Sequence, residues 1–541
     1  MMRNLDVGVV RPRELKSWLH DGAEIALLDV REAGQFGECH LFLAIPLPYS
    51  RLELDIRRLV PRLTTRIVLV DDNGCDLVQR AAGRLAELGY TDLHRLDGGI
   101  KAWSAAGLEV FAGVNVPSKA FGELAELHFG TPHISAPDLA ARLQRGDDVV
   151  ILDGRPIPEY KKMSIPAATC CPNGELALRI DDLVPQKDTP IVINCAGRTR
   201  SIVGAQTLIN LGVRNPVFAL ENGTQGWYLN DLSLDHGADR VFRALDASVD
   251  LGQRVERAQA LADRYGIVRI TAQQLFDWWK DSRRTTYLCD VRTPEESQAQ
   301  PVPLAQSAPG GQLIQATDQY VATRGARIVL VDNDDVRAPV VATWLYMLGW
   351  DVFVLPSEES AKLASGTLPL PAGQGDQTAR LIEDDPLVSL SAEALKDCLA
   401  QGVPVLDLRA GMQYRQGHVD GAQWVIRPNL PDWISRQQRV PARVVLMGDV
   451  SLAALVARDL RELGVSEVLH CALDMPECKR AGLTVVATPG TPSDAECIDY
   501  LFFVHDRHDG NKQAAMQYLA WETNLIAQLD DQEKAMYRFK V

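Results

Sequence analysis

The sequence has few of the features that mark secreted, membrane-spanning or nucleic-acid-binding proteins. Its first segment, Met1 to Gly22, contains no apolar core of a secretory signal, and no run approaches the roughly 18 apolar residues of a membrane span. The formal net charge is −15, which argues against a general surface for nucleic-acid phosphates. The 10 cysteines show no zinc-ligand spacing. We therefore expect no membrane partner, no nucleic-acid partner, and reduced thiols in the cytoplasm.

A fourfold internal repeat divides the chain, which at 541 residues is too long for one hydrophobic core. Four apolar runs each end in the motif Asp-x-Arg. Successive motifs are separated by about the length of one small domain. The four motifs are Asp29-x-Arg31, Asp153-x-Arg155, Asp290-x-Arg292 and Asp407-x-Arg409. Because every repeat has the motif, we expect the aspartate to bind backbone N–H groups and the arginine to pair with it. A catalytic role is the alternative.

A second apolar strand follows each motif at a nearly constant distance. These strands read RIVLV, PIVINC, RIVLV and RVVLM, and the key position at their ends is Asp71, Cys195, Asp332 or Gly448. A helical pattern that closes on Leu-Gly comes next, and then another short strand. Strands that alternate with helices predict a parallel, helix-covered sheet in each repeat.

The repeats predict a division of the chain into four domains and two helical segments. The domains are expected at 8–112, 131–237, 268–367 and 387–487, the helical connector at 239–266, and the helical tail at 493–541 with a break near Asp509. A Gly/Pro-rich linker begins at Pro369. The apolar positions of the tail's second helix, which begins near Asn511, indicate packing against a neighbouring domain. Self-association is the alternative.

The loop INCAGRTRS, Ile193 to Ser201, contains the only cysteine at the key position of a repeat. Ligands gather at the carboxyl ends of strands in open parallel sheets. We expect a helix to begin near Ser201, so that backbone N–H groups curl around the sulfur. With Arg198 and Arg200, these groups favour a nucleophilic thiolate at Cys195. The alternative is a buried thiol that only fills space.

The remaining cysteines are predicted to be structural. Cys289 belongs to a buried strand, Cys398 lies on an apolar helix face, and Cys75 lies past the key position of the first repeat. Cys170 and Cys171 follow the Asp153 strand, and for one of them the alternative is a role in resolving a sulfur adduct as a disulfide.

Over nearly its whole length the chain resembles the rhodanese superfamily of sulfurtransferases, as four tandem rhodanese-like domains. Besides INCAGRTRS, the segments that carry the resemblance are LLDVREAGQFGECHLFLAIPLP (Leu27 to Pro48), QYRQGHVDGA (Gln413 to Ala422), LDGGIKAWSAAG (Leu96 to Gly107) and LENGTQGW (Leu220 to Trp227). The resemblance implies that each domain is a mainly parallel five-stranded sheet covered by helices on both faces.

The resemblance also implies a ping-pong reaction that needs no metal or organic cofactor. The catalytic Cys195 would take the outer sulfur of a small anionic donor such as thiosulfate, hold it as a persulfide, and pass it to an acceptor. The acceptor is cyanide, a thiol or a sulfur-accepting protein. Substrate and persulfide would be bound by the loop residues Ala196, Gly197, Arg198, Thr199, Arg200 and Ser201.

The loop departs from the commonest family pattern, Cys-x-x-Gly-x-Arg-Ser. Gly197 comes one position early and Arg198 takes the usual glycine place, so we expect Gly197 to supply the freedom that closes the loop. Two arginines favour a dianionic donor such as thiosulfate over mercaptopyruvate. The spacing from Cys195 to Arg200 is Cys-x4-Arg, whereas cysteine phosphatases and arsenate reductases, the less favoured alternatives, use Cys-x5-Arg.

Four residues outside the loop are candidate cleft residues: Arg179, Asn222, Gly223 and Trp227. Arg179 contacts an anionic substrate or, in the alternative, pairs with Glu175 at i,i+4 spacing. The other three belong to the closing Gly-Trp segment, where they border the pocket or simply pack.

The other three domains are predicted to be inactive, because Asp71, Asp332 and Gly448 are not sulfur nucleophiles. An aspartate would also repel an anion in the loop. By analogy with two-domain members, we expect the first domain to pair with the second and wall its cleft. The third and fourth would then form a scaffold or a surface that docks an acceptor. The alternative is a non-catalytic scaffold or a sensor of sulfur or oxidants.

Overall fold

Four five-stranded sheets with one common strand order organise the chain. The computed structural model describes residues 7–74, 76–245, 249–366, 386–502 and 511–539. The sheet orders are β1-β5-β4-β2-β3, β6-β10-β9-β7-β8, β11-β15-β14-β12-β13 and β16-β21-β20-β17-β19. The strands are β1 Gly8–Val10, β2 Ile25–Asp29, β3 Ile45–Pro46, β4 Arg66–Val70, β5 Leu93–Leu96, β6 His133–Ile134, β7 Val150–Asp153, β8 Thr169–Cys170, β9 Ile191–Asn194, β10 Val217–Leu220, β11 Val268–Arg269, β12 Thr286–Asp290, β13 Gln306–Ser307, β14 Arg327–Val331, β15 Asp351–Val354, β16 Val388–Ser389, β17 Val405–Asp407, β18 His418–Val419, β19 Gln423–Trp424, β20 Arg443–Met447, β21 Glu467–Cys471 and β22 Val485–Val486.

The strand pairings in these four sheets are parallel, as the alternation of strands and helices predicts. β18 and β22 form a separate antiparallel pair. The central strands are buried along their length, for example Ile191–Asn194 in the second domain. The prediction of four α/β domains with five-stranded parallel sheets flanked by helices is confirmed.

Helices follow the strands in each domain. In chain order they are Pro12–Trp18, Ala33–Glu38, Leu52–Leu59, Asp76–Glu87, Gly99–Ala105, Val116–Phe129, Ala136–Arg145, Ile157–Lys162, Leu176–Leu183, Thr199–Asn210, Gly223–Leu229, Gly252–Arg264, Ala272–Lys280, Pro294–Ala299, Gly310–Gln315, Arg337–Met347, Ser357–Ala364, Ala392–Ala400, Gly411–Gln416, Leu430–Ser435, Val450–Glu462, Met475–Arg480, Lys512–Gln528 and Asp531–Lys534. Short 3₁₀ helices lie at Tyr49–Arg51, Asn173–Glu175, Thr317–Gln319 and Arg427–Asn429. No helix of the described residues is long and apolar enough to cross a membrane.

The helical segments between and after the domains differ in part from the sequence predictions. The connector is helical only at Gly252–Arg264, and the described residues before it, 239–245 and 249–251, are not helical. The helix Val116–Phe129 was missed, although Pro117 in its first turn and Gly130 at its end are ordinary helix signals. The tail helix Lys512–Gln528 is present and packs on Val116–Phe129 and Gly223–Leu229, as expected. The linker at Pro369 and the break near Asp509 lie outside the described residues.

The domains group differently from the expected pairing of first with second and third with fourth. One compact unit contains the first and fourth sheets, and the other contains the second and third sheets with the tail helices. Each unit has a buried arginine that joins its two domains. Arg427 pairs with Glu53 at 2.6 Å in the first unit, and Arg337 pairs with Glu175 at 2.8 Å in the second. Such pairs hold a register because breaking them leaves a buried charge.

The Asp-x-Arg motif forms the same buried contact in all four domains. The backbone N–H of each arginine donates to Oδ1 of its aspartate at 3.1 Å. The arginine Nη2 then pairs with Oδ2 at 2.6–2.7 Å. The same Nη2 also donates to the carbonyl of Cys39, Met163, Gln300 or Gly417, which fixes the segment after the next helix. The structural role predicted for the motif is confirmed.

We predict that Asp290→Ala destabilises the unit that contains the second and third domains by about 3–5 kcal/mol, because Arg292 would keep a buried charge without its partner. Guanidinium unfolding followed by tryptophan fluorescence measures the change. The matched control is Arg269→Ala, which removes the exposed pair with Asp263 and should cost about 1 kcal/mol or less. Equal effects of the two variants would contradict the role given to the motif.

Candidate active site

The loop that contains Cys195 joins strand β9 to the helix Thr199–Asn210. The strand ends at Asn194, and Cys195 follows directly at the carboxyl edge of the sheet. The helix begins at Thr199, two residues before the predicted start at Ser201, with Arg198 at its N-cap. The loop is therefore shorter than expected, and Thr199 and Arg200 belong to the first helical turn. Cys195 is only 2% exposed.

The backbone N–H groups of this loop have no acceptor within the described parts of the chain. None of those from Ala196 to Ser201 donates a hydrogen bond to backbone or side chain there. Ser201 Oγ and both amide atoms of Gln225 are likewise buried and without a hydrogen-bond partner among the described residues. Buried polar groups are normally paired. The loop thus offers a concentration of donors to a ligand that accepts hydrogen bonds.

The three equivalent loops are filled by carboxylates of the chain itself. Asp71 Oδ1 accepts from the N–H groups of Asn73 and Gly74. Asp332 accepts from Asp335 at 3.0 Å and from Ala338 at 2.8 Å. In the fourth domain Gly448 has a φ of +133°, and the next residue, Asp449, accepts from Ser451 and Leu452.

An aspartate at the key position therefore acts by occupying the N–H groups and not only by repelling an anion. Asp332 accepts from two backbone N–H groups, so its side chain is held inside the loop. Burial, followed by the nearby Asp334, raises its pKa well above the usual range. Among the four described loops, the Cys195 loop is the one whose N–H groups no carboxylate of the chain occupies.

The Gly-Trp segment supports the loop from the side of strand β10. Thr224 and Gln225 donate their backbone N–H groups to the carbonyls of Cys195 (2.8 Å) and Ala196 (3.1 Å). Gly223 has a φ of +53°, and a Cβ atom there would lie 2.2 Å from the Cys195 carbonyl oxygen. Glycine is therefore required at this position.

The other two cleft candidates from this segment have different surroundings. Asn222 Oδ1 lies 3.5 Å from Arg198 Nη1, so Asn222 borders the loop. Trp227 belongs to the hydrophobic core, where its Nε1 donates to the Ser233 carbonyl. The structure thus places Asn222 and Gly223 beside the loop and gives Trp227 a packing role.

Both arginines of the loop are paired with carboxylates. Arg198 Nε lies 2.7 Å from Glu123 Oε1, and its Nη2 contacts Glu126, both on the helix Val116–Phe129. Arg200 forms two bonds of 2.8 Å to Glu159. Burial by itself lowers the pKa of each arginine, but the carboxylates raise it on balance, so both stay charged. Burial raises the pKa of Glu123, and the pairing with Arg198 offsets this only in part.

The C-terminal helix Lys512–Gln528 lies against the loop. Thr199 Oγ1 donates to Glu522 Oε1 at 3.0 Å. A Cβ atom on Gly197 would lie 2.8 Å from Glu522 Oε2 and 3.6 Å from the Tyr518 ring. Gly197 is not among the glycines with positive φ. Its lack of a side chain therefore serves the close approach of Glu522 rather than the backbone freedom that the sequence suggests.

Arg179 and the adjacent cysteines make contacts typical of structural residues. Arg179 is buried, pairs with Glu175 at 3.2 Å and stacks over the Phe242 ring, and none of its described contacts is with the loop. Burial and then Asp153 raise the pKa of Cys170 to about 12, and burial raises that of Cys171 well above its usual range. Both thiols are thus held protonated at neutral pH, which disfavours a role as resolving thiolate.

The fold and the cysteine loop together define an α/β protein of the rhodanese type. The family model for the rhodanese-like domain matches residues 11–106 and 135–230, in the first and second domains. The crystal structure of a thiosulfate sulfurtransferase from Pseudomonas aeruginosa is 39% identical, with 99% of this chain and 100% of that chain covered and a TM-score of 0.87. The chain therefore belongs to the rhodanese family of sulfurtransferases.

Other similar structures span one domain. A protein of unknown function from Rhodopseudomonas palustris, described as a possible tyrosine phosphatase, is 29% identical over 22% of this chain and 93% of its own, with a TM-score of 0.20. A rhodanese-related protein from Thermoplasma volcanium is 23% identical over 19% of this chain and 97% of its own, with a TM-score of 0.17. None of the curated proteins matches this chain.

The residues that sequence reasoning missed are the carboxylates around the loop and the amide of Gln225. Glu123, Glu159 and Glu522 come from three helices distant in sequence, and no local pattern marks them as partners of Arg198, Arg200 and Thr199. Gln225 lies inside the Gly-Trp segment that carries the resemblance, so its polar side chain could have been predicted from the sequence to lie near the loop.

We predict that Gly223→Ala displaces the Cys195 loop, since its Cβ would meet backbone atoms and the positive φ would add strain. The variant should have a clearly lower melting temperature than the wild type in differential scanning fluorimetry. Gly212→Ala is the matched control, because its φ is +72° but no atom lies within 4 Å of the added Cβ. A shift in Gly223→Ala no larger than that of the control would contradict the close packing described.

Proposed function

We propose that the second domain is a sulfurtransferase active site in which Cys195 moves sulfane sulfur from an anionic donor such as thiosulfate to cyanide or a thiol. One observation carries the proposal. The backbone N–H groups from Ala196 to Ser201 have no acceptor within the described chain, whereas carboxylates of the chain occupy the equivalent groups in the other three domains. Such donors stabilise negative charge on sulfur without moving during the reaction.

The proposed reaction has two half-reactions that share one enzyme intermediate. The Cys195 thiolate attacks the outer sulfur of thiosulfate, an S–S bond forms, and the sulfur–sulfur bond of the donor breaks with its electron pair leaving on sulfite. The resulting persulfide anion lies among the N–H groups of the loop. Cyanide then attacks the outer sulfur, thiocyanate leaves, and the thiolate is restored. The cycle is redox-neutral and requires no metal or organic cofactor.

The loop residues are proposed to act mainly through their backbone. Ala196, Gly197 and Thr199 supply N–H groups, and Ser201 adds a buried hydroxyl without a described partner. Arg198 and Arg200 contribute positive charge, but each does so within an ion pair that also holds the loop in place. Asn222 and Gly223 are proposed to border the pocket, and Arg179 is not, since its contacts lead away from the loop.

The remaining domains are proposed to be inactive supports. The third domain packs against the active domain through Trp344, whose Nε1 donates to Thr207 Oγ1 at 2.9 Å. The first and fourth domains form the other compact unit. The cytoplasm remains the proposed location, which fits the lack of any disulfide among the nine described cysteines.

Cys195→Ser should abolish thiosulfate:cyanide transfer, because a serine hydroxyl cannot hold the transferred sulfur. The measurement is thiocyanate formation together with intact mass after thiosulfate treatment, which should show one added sulfur atom on the Cys195 peptide in the wild type only. Cys39→Ser, which changes a half-buried cysteine of the first domain, is the control and should keep full activity. Transfer by Cys195→Ser at the wild-type rate would refute the proposal. A persulfide that forms without turnover would favour a sulfur sensor instead.

Arg200→Ala should weaken thiosulfate more than a donor of lower charge. The substitution removes a cation and leaves the Glu159 carboxylate in place, so the local charge falls by one. We expect kcat/KM to fall by about tenfold for thiosulfate, a dianion, and by about threefold for methanethiosulfonate, a monoanion with the same transferable sulfur. Arg145→Ala, an exposed arginine of the same domain, is the control. A uniform loss for both donors would show that Arg200 only holds the loop.

A further inference from the structure

We infer that Glu522, on the C-terminal helix Lys512–Gln528, is a specificity-determining residue that lowers the preference of the Cys195 loop for dianionic donors. The inference rests on the proposed function, because it concerns which sulfur donor that site takes. It assigns a role in substrate choice to a helix that lies outside all four rhodanese-like domains.

Glu522 is in direct contact with the loop. Its Oε1 accepts from Thr199 Oγ1 at 3.0 Å, and its Oε2 lies 2.8 Å from the point where a Gly197 side chain would begin. Gly197 lies in the short turn that begins at Cys195, and Thr199 is the first residue of the helix that follows this turn. The Glu522 side chain is 1% exposed, so water and salt screen its charge only weakly.

The C-terminal helix is held in this position from several sides. Lys119 Nζ lies 3.5 Å from Glu522 and also contacts the Tyr518 hydroxyl. Lys512 pairs with Asp231 near the start of the helix. Beyond the helix, Tyr537 donates to the Pro117 carbonyl at 2.7 Å. The carboxylate is therefore presented at a fixed place, which is what a determinant of specificity requires.

The charged side chains around the loop do not give it the net positive charge that its two arginines suggest. Among the described residues, the ion pairs given for the loop join three cations, Lys119, Arg198 and Arg200, with four carboxylates, Glu123, Glu126, Glu159 and Glu522. Anion binding therefore depends on the backbone N–H groups and the helix N-terminus. Three of these carboxylates pair with Arg198 or Arg200. Glu522 instead accepts its hydrogen bond from the hydroxyl of Thr199.

A carboxylate in this position acts on donors according to their charge. It repels a dianion about twice as strongly as a monoanion with the same geometry. Thiosulfate and a thiosulfonate present the same outer sulfur next to a tetrahedral sulfur, but one oxygen of thiosulfate is replaced by a carbon group in the thiosulfonate. Glu522 thus favours sulfane donors of lower negative charge, such as thiosulfonates and organic persulfides, over thiosulfate.

The test compares the two donors in the full-length protein and its variants. Glu522→Gln keeps the shape of the side chain and its acceptor for Thr199 but removes the charge. We expect kcat/KM to rise by about tenfold for thiosulfate and by about threefold for methanethiosulfonate, so that the ratio between them shifts by about threefold. Glu522→Asp keeps the charge and should leave that ratio at the wild-type value, even if its rates fall. Glu256→Gln, a surface substitution in the same unit, is the matched control.

The outcomes separate the inference from the proposed function and from a purely structural role. A ratio that shifts in Glu522→Gln and not in Glu522→Asp supports the inference. An unchanged ratio in Glu522→Gln, or equal losses for both donors in the two variants, overturns it while Cys195-dependent transfer still stands. Activity that survives Cys195→Ser would instead overturn the proposed function itself.

Discussion

The arrangement of the active domain depends on how the backbone N–H groups at the end of its fourth strand are satisfied. A strand that ends at the sheet edge and turns at once into a helix leaves several donors pointing into one small space. The chain makes this turn four times. In three cases the chain supplies the acceptor through Asp71, Asp332 or Asp449, and the turn becomes a closed structural element. At the Cys195 loop no carboxylate of the described residues accepts from these groups, so the same donors can serve a ligand.

The charged side chains around the loop adjust this backbone site rather than create it. Arg198 and Arg200 form ion pairs with glutamates of two different helices. Each arginine therefore acts on a ligand together with the negative charge of its partner and not as a separate cation. A site built in this way discriminates donors through small differences in the balance of paired charges. The pairing of Arg198 also explains why the loop tolerates an arginine where glycine is more usual. Glu123 and Glu126 hold the long side chain away from the turn.

The parts of the structure that depend on nearby residues could be predicted from the sequence, and the parts that depend on distant ones could not. Apolar runs ending in Asp-x-Arg, Leu-Gly helix ends and the Cys195 loop each follow local rules, so the four sheets and the position of the cysteine were predicted. The helix start at Thr199 was missed by two residues because Arg198 is an uncommon N-cap that Glu123 stabilises from another element. The grouping of first with fourth domain rests on pairs such as Arg427 with Glu53, which no local pattern shows.

The distance in sequence between the loop and its C-terminal cover has a consequence for biosynthesis. The bond from Thr199 to Glu522 spans 323 residues. At about 5–20 residues per second, the ribosome adds Thr199 roughly 15–65 seconds before it adds Glu522. During that interval the Cys195 loop exists without the helix that later bonds to Thr199. The contacts of Glu522 with Thr199 and Lys119 therefore form only after nearly the whole chain has been made.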